Sequence, residues 1–248
     1  MQKGKIILGI LIVMTAGFLG LQIFNFDDQA NIVRSFLLPI LTVYYCINGK
    51  NKNGYFFAFL VLYSITELMG LFSKQAEEHV FVDNIIFYLG NLMCVLAYTF
   101  LFIEVYKSMD VKKIFNRFAL HVFVLIALDI YSVVLVTDIA IKSDYLHGPL
   151  DYFVEITYNT IIMLLLTITL INYISRDSKK AMNLLLGSLC IVFSEVIQVA
   201  YYYVTEKNIL IVVYSALLVV AFYFFYLQSG LTYSSGSLYR DSLEKSEV

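Results

Sequence analysis

Apolar stretches about as long as a bilayer is thick alternate along the chain with short polar breaks. A hydrocarbon core of about 30 Å takes roughly 20 apolar residues per helix. Eight stretches approach or exceed that length, at 6–25, 33–49, 54–73, 82–106, 117–137, 149–174, 181–204 and 209–228. The pattern predicts an all-α polytopic membrane bundle of eight transmembrane helices over residues 1–228. A polar tail rich in Ser and charge follows over 229–248 and is expected to be mobile. The first stretch follows Met1-Gln2-Lys3-Gly4-Lys5, as a signal peptide would. It is apolar for about 20 residues and lacks an A-x-A-like cleavage site, so it reads as an uncleaved first helix.

Charge gives the helices a direction. Lys and Arg in short loops favour the cytoplasmic side. Thirteen of the 17 basic residues fall in the termini and alternate loops on one side; only Arg34, Lys74, Lys142 and Lys207 fall on the other. The alternation predicts both termini, and residues 49–53, 107–116 and 176–180, in the cytoplasm. Composition agrees with a membrane protein: of 248 residues, 60% are hydrophobic and 15% charged. A soluble domain is about half apolar and a quarter charged. A net charge of −2 supplies no field for nucleic acid, which is excluded as a partner. Cys46, Cys94 and Cys190 sit inside apolar runs with no CxxC pair, so no disulfide framework or structural zinc site is indicated.

No basic residue lies in the middle of a predicted helix, which argues against a retinal Schiff-base lysine or an Arg-rich voltage sensor. His79, His121 and His147 show no HxxxH or HExxH spacing; His79 and His147 read as outer-loop residues, His121 as interfacial. The helices do carry acids, and carboxylates in hydrocarbon normally face a bundle interior or a wet cavity. Glu67 in helix 3 and Glu195 in helix 7 lie at matched depth, roughly 20 Å from the cytoplasmic end at 1.5 Å per residue. Asp129 on helix 5 and Asn91 on helix 4 reach a similar level. Helix 6 carries Asp151, Glu155 and Asn159 as one polar stripe at i, i+4 and i+8. Tyr63, Ser64 and Thr66 flank Glu67; Ser194, Gln198 and Tyr202 flank Glu195. These residues predict a polar pocket in the outer third of the bundle.

Helices 3 and 7 also look like copies of one another. Each follows a short basic loop and runs to a hydroxyl–acid pair, Thr66-Glu67 or Ser194-Glu195, at an offset of 128 residues, about half the chain. That spacing predicts two parallel four-helix repeats with a site at their interface. Eight helices, Pro39 early in helix 2 within Phe36-Leu37-Leu38-Pro39, and a small or hydroxyl residue before an acid in helices 3 and 7 resemble the YhhN-type lysoplasmalogenase family. The likeness runs from about Ser35 to Gly230 and is strongest from Asn159 through Phe225. It implies an enzyme of a bacterial cytoplasmic membrane that hydrolyses the vinyl ether of alkenyl lysophospholipids, with Glu67 and Glu195 as its catalytic acids. The chain departs from the family in carrying Glu where the family has Asp, Leu38 where it often has Lys, and Ala97-Tyr98 where it has Ala-His.

Vinyl ether hydrolysis takes a proton on carbon and water on the resulting oxocarbenium ion, so one carboxyl must be neutral and the other ionised. Two acids close together in low dielectric supply that split. Glu67 and Glu195 would serve as acid and base, in either order, with Asp129, Glu155, Asn91, Asn159 and Tyr98 orienting water or headgroup and no cofactor or metal required. Each residue also has a plainer reading. Glu67 and Glu195 could be neutral acids hydrogen-bonded between helices, Asp151 and Glu155 a solvated outer rim, and Tyr98 packing. Tyr152, Tyr158, Tyr201, Tyr202 and Tyr203 fit an interfacial belt. Glu104 is expected to pair with Lys107 at i, i+3. The same acids would suit a proton-coupled transporter, or a receptor or scaffold without turnover, as alternatives to the hydrolase; two prolines, Pro39 and Pro149, favour an uninterrupted bundle over a carrier.

Overall fold

Where no water can reach the backbone, each N–H and C=O must be satisfied within its own segment, and a helix does this with local bonds alone. The computed structural model describes residues 2–48, 53–72, 80–109, 111–142, 148–205 and 207–233. His79, His147, Lys50, Lys52, Lys74 and the tail from 234 lie outside the described residues. Those described form eight helices: α1 (Gln2–Ile23), α2 (Asp27–Asn48), α3 (Gly54–Met69, extended by a 3₁₀ turn Gly70–Phe72), α4 (Val80–Ser108), α5 (Val111–Ile141), α6 (Pro149–Arg176), α7 (Lys179–Tyr203) and α8 (Asn208–Ser229). No strand occurs among the described residues. The chain is an all-α bundle. Seven of its helices, α2 to α8, are long and apolar enough to cross a membrane, and α1 contributes a shorter apolar stretch, Gly9–Ile23.

The element limits follow local chemistry. Asn25, held at φ 61°, turns the chain between α1 and α2, and Asn tolerates this left-handed region better than most residues. Asp27 and Asp28 then occupy the first turn of α2, where acids complement the helix dipole. Asn53 caps α3 through Tyr55 N–H, and Ser178 caps α7 through Ala181 N–H. At the start of α6, Pro149 follows Gly148, whose N–H donates to Asp151 at 2.9 Å. Asp151 also accepts from the Tyr88 hydroxyl at 2.5 Å, tying α6 to α4. The expected Glu104–Lys107 pair does not form: Lys107 donates outward to the Tyr55 hydroxyl, and Glu104 turns inward.

Six helices close a ring in the order α2, α3, α4, α6, α7, α8, with α8 returning to α2. Helix α1 flanks α2 and α8; α5 flanks α6 and α7. Each neighbour pair of the first four helices recurs four helices later, and α4 on α6 recurs as α8 on α2. Val80 and Asn208, the first residues of α4 and α8, show the same 128-residue offset as the glutamates. This is the packing order expected of two four-helix halves. The core inside the ring is aromatic. Phe59 stacks on Phe222 with centroids 5.7 Å apart and meets Phe225 edge-on at 5.5 Å.

Gly187 lets α7 approach α8 closely. A Cβ there would lie 2.5 Å from Cε1 of Phe225, whose ring is fully buried and has nowhere to retreat. Gly187→Ala is expected to cost on the order of 1–3 kcal/mol by overpacking, read as a lower midpoint of thermal unfolding in detergent. Adding Phe225→Leu should recover part of the loss. An Ala variant as stable as the wild type would show that this contact does not set the α7–α8 spacing.

Candidate functional site

The inward face of α3 reads Phe56, Phe59, Tyr63, Glu67 at helical spacing, so packing the first three against the core carries Glu67 inward with them. On α7 the buried residues Leu184, Ile191 and Ser194 do the same for Glu195. Ser194 Oγ donates to the carbonyl of Tyr214 at 2.7 Å, which sets the rotation of α7 against α8. Both glutamates line one cavity of about 610 Å³ at the end of the bundle where α2, α4 and α8 begin. Asn91 lines it too, as the spacing predicted, with its amide donating to Phe87 O at 2.8 Å.

The two acids have different neighbours. Glu195 accepts from the Tyr98 hydroxyl at 2.7 Å, and the Tyr63 hydroxyl sits 3.3 Å behind Tyr98, so a phenol pair backs the carboxyl. Tyr98 is fully buried in the core, and its hydroxyl is the group that meets Glu195. Tyr158 approaches the same carboxyl and lines the cavity with Tyr201 and Tyr202. Glu67 meets a cation instead. Its Oε2 is 3.9 Å from Nε of Arg34, and Arg34 Nη1 donates to the Tyr214 hydroxyl at 3.0 Å.

Arg34 is the residue that sequence reasoning missed. Starting helix 2 at residue 33 left it at an exposed edge, whereas α2 begins at Asp27 and places Arg34 two turns inside. The signal was present: Asp27, Asn31 and Arg34 lie at i, i+4 and i+7, one polar face, and all three line the cavity. Gln22 closes the rim, donating at 2.7 Å both to Asp27 Oδ1 and to Asn208 Oδ1, which joins α1, α2 and α8.

Four predicted site residues do not line this cavity: Tyr98, in the core against Glu195, and three that belong to the α5–α6–α7 seam. Glu155 is buried, not a solvated rim residue, and accepts from Asn159 Nδ2 at 3.1 Å. Asn159 also faces Thr137 of α5 and, with Glu195, lines a void of about 20 Å³, room for one water. Asp129, on the flanking helix α5, is buried against Thr167 of α6. Among the described residues no three His, Cys, Asp or Glu side chains gather as a metal-binding group.

A second cavity, of about 600 Å³, adjoins the first between α1, α2 and α8. Its walls are apolar, including Leu11, Leu19, Leu37, Leu41, Val219 and Phe222. Arg34, Glu67 and Leu218 line both spaces, so a polar chamber and an apolar slot meet at the ion pair.

Removing one member of this half-buried pair leaves the other charge poorly compensated in an apolar bundle. Arg34→Gln and Glu67→Gln should each lower the unfolding midpoint, and the double variant should lose less than the sum. A coupling of roughly 0.5–3 kcal/mol is expected from a double-mutant cycle; additive losses would mean that the two charges do not interact. No family model matches the chain, and no curated protein or solved structure matches it either.

Proposed function

We propose that the chain is an integral membrane hydrolase of the lysoplasmalogenase type, which cleaves the vinyl ether of a single-chain alkenyl lipid into an aldehyde and an alcohol. The observation that carries the reading is the shared cavity: two carboxyl groups with unlike neighbours line one polar chamber. The adjoining apolar slot has the character an alkenyl chain requires, and the polar chamber that of a headgroup. The resemblance to the YhhN-type family supports the same substrate class.

The unlike neighbours support one assignment of the roles that spacing alone left open. Glu67, with Arg34 beside it, is the carboxylate; Glu195, with phenols and no cation, is the acid. Glu195 gives its proton to the vinyl carbon farther from the ether oxygen, and the carbon bonded to that oxygen shares the positive charge with it. Water adds to that carbon as Glu67 takes one of its protons, forming a neutral hemiacetal. Collapse breaks the carbon–oxygen bond to the glycerol. The departing oxygen takes the proton held by Glu67 while the hemiacetal hydroxyl returns one to Glu195, so both acids finish as they began. Tyr98 positions Glu195, and Asn91 is placed to orient water or headgroup.

Purified protein incubated with an alkenyl lysolipid should release fatty aldehyde. Glu67→Gln and Glu195→Gln keep size and hydrogen bonding while removing proton transfer, and each should cut kcat by about 10²–10⁴. Tyr98→Phe should lower it less, while Asp129→Asn, outside the cavity, should leave it near wild type. Aldehyde release at wild-type rate by both Gln variants would overturn the mechanism. A carrier of small polar solutes is the second reading, favoured by cavities at both ends of the bundle with buried rings between them. Uptake into vesicles without aldehyde release would support it over the hydrolase.

A further inference from the structure

The end of the bundle away from Glu67 and Glu195 holds a separate cavity of about 790 Å³. It lies where α2 and α4 finish and α3 and α7 start, and its lining includes Tyr45, Asn53, Glu104, Lys180, Thr232 and Tyr233. The aromatic core, with Phe59 and Phe225 fully buried, stands between it and the chamber described above.

Glu104 is the unusual member. It is 7% exposed, and its Oε2 is buried with no hydrogen-bond partner. An isolated carboxylate oxygen in such surroundings is costly unless a donor comes to it. Lys107, one turn away on the same helix, is committed to Tyr55 on the outside. The facing wall is positive. Lys180 of α7 lines the cavity with its ammonium 5.0 Å from the Tyr233 ring centre, and the Arg176 guanidinium lies 4.2 Å from the same ring. That ring is fixed, because the Tyr233 hydroxyl accepts from Asn172 Nδ2 at 3.1 Å and lies 3.4 Å from Ser108 Oγ. Asn172 Oδ1 and both polar atoms of the Gln228 side chain are also buried without partners at this end.

A simple anion would find Lys180 but also Glu104. A simple cation would find Glu104 but also Lys180 and Arg176. An uncharged solute would leave Glu104 and Lys180 only each other for charge compensation. We propose that this cavity is a binding site for a small zwitterion, whose ammonium donates to Glu104 and whose acid group accepts from Lys180. The site shares no lining residue with the Glu67–Glu195 chamber and does not depend on the hydrolase reading.

The test is calorimetric titration of the full-length protein in detergent with O-phosphoethanolamine, and with inorganic phosphate and ethanolamine as its two halves. Phosphoethanolamine should bind saturably at one site per chain, at least about tenfold more tightly than either half, since hydrogen bonds to charged groups are worth that factor or more. Glu104→Gln should weaken phosphoethanolamine about tenfold without weakening phosphate. Lys180→Met should weaken phosphoethanolamine and phosphate without weakening ethanolamine. Absence of saturable binding, either half binding as tightly as the whole, or a Glu104→Gln variant with wild-type affinity would each overturn the proposal. The wild-type comparison decides even where a variant fails to fold. Aldehyde release measured on the same two variants should stay at the wild-type level, which keeps this test separate from that of the hydrolase.

Discussion

A charged or hydrogen-bonding side chain inside an apolar bundle has to meet either a partner or a wet cavity, and this constraint organises the molecule. Glu67 meets Arg34, Glu195 meets Tyr98, and Glu155 meets Asn159. Each pairing reaches the bundle by a different route. Arg34 comes from the neighbouring helix α2, Tyr98 from α4 across the ring, and Asn159 from the next turn of the same helix. The first two stand beside open space and so keep chemical freedom. The third closes on itself, which is why Glu155 contributes to the α5–α6–α7 seam and not to the chamber.

The ring of six helices with two flanking ones gives α1 and α5 unlike consequences. Helix α1 walls an apolar slot whose inner end touches the Arg34–Glu67 pair. Helix α5 packs on the other half, where a void of about 20 Å³ lies beside Glu195. The two halves therefore share a packing order while one holds a slot and the other a filled seam. Gly187 illustrates how such differences arise: on α7 it admits the Phe225 ring, while the α3 residue at the same 128-residue offset is Phe59, which supplies a ring to the core itself.

Polar residues at the two ends do different work although both ends are lined with charge. The chamber end concentrates carboxylates, amides and phenols around one arginine. The other end sets Glu104 against Lys180 and Arg176, with Tyr233 fixed between α4, α6 and α7. Between them lies a continuous run of rings, Tyr45, Phe56, Phe59 and Tyr63, whose first and last members face the two cavities. That run gives the core its volume and keeps the two polar regions distinct.

Apolar run length by itself determined the helical class, the number of helices and most of their limits, because backbone satisfaction and hydrophobic span are properties of each segment alone. It also determined that Glu67 and Glu195 belong together, since depth and the 128-residue offset are countable along the chain. It misjudged α2 because Asp27, Asp28, Gln29 and Asn31 end an apolar window without ending a helix. Only the tertiary structure decided that Arg34 pairs with Glu67, that Tyr158, Tyr201 and Tyr202 face a chamber, that Glu104 turns inward, and that Asp129, Glu155 and Asn159 stand outside the main cavity. Those outcomes depend on how far each helix rotates against its neighbours, and that rotation is set by the summed packing of many side chains from different segments, which no local pattern encodes.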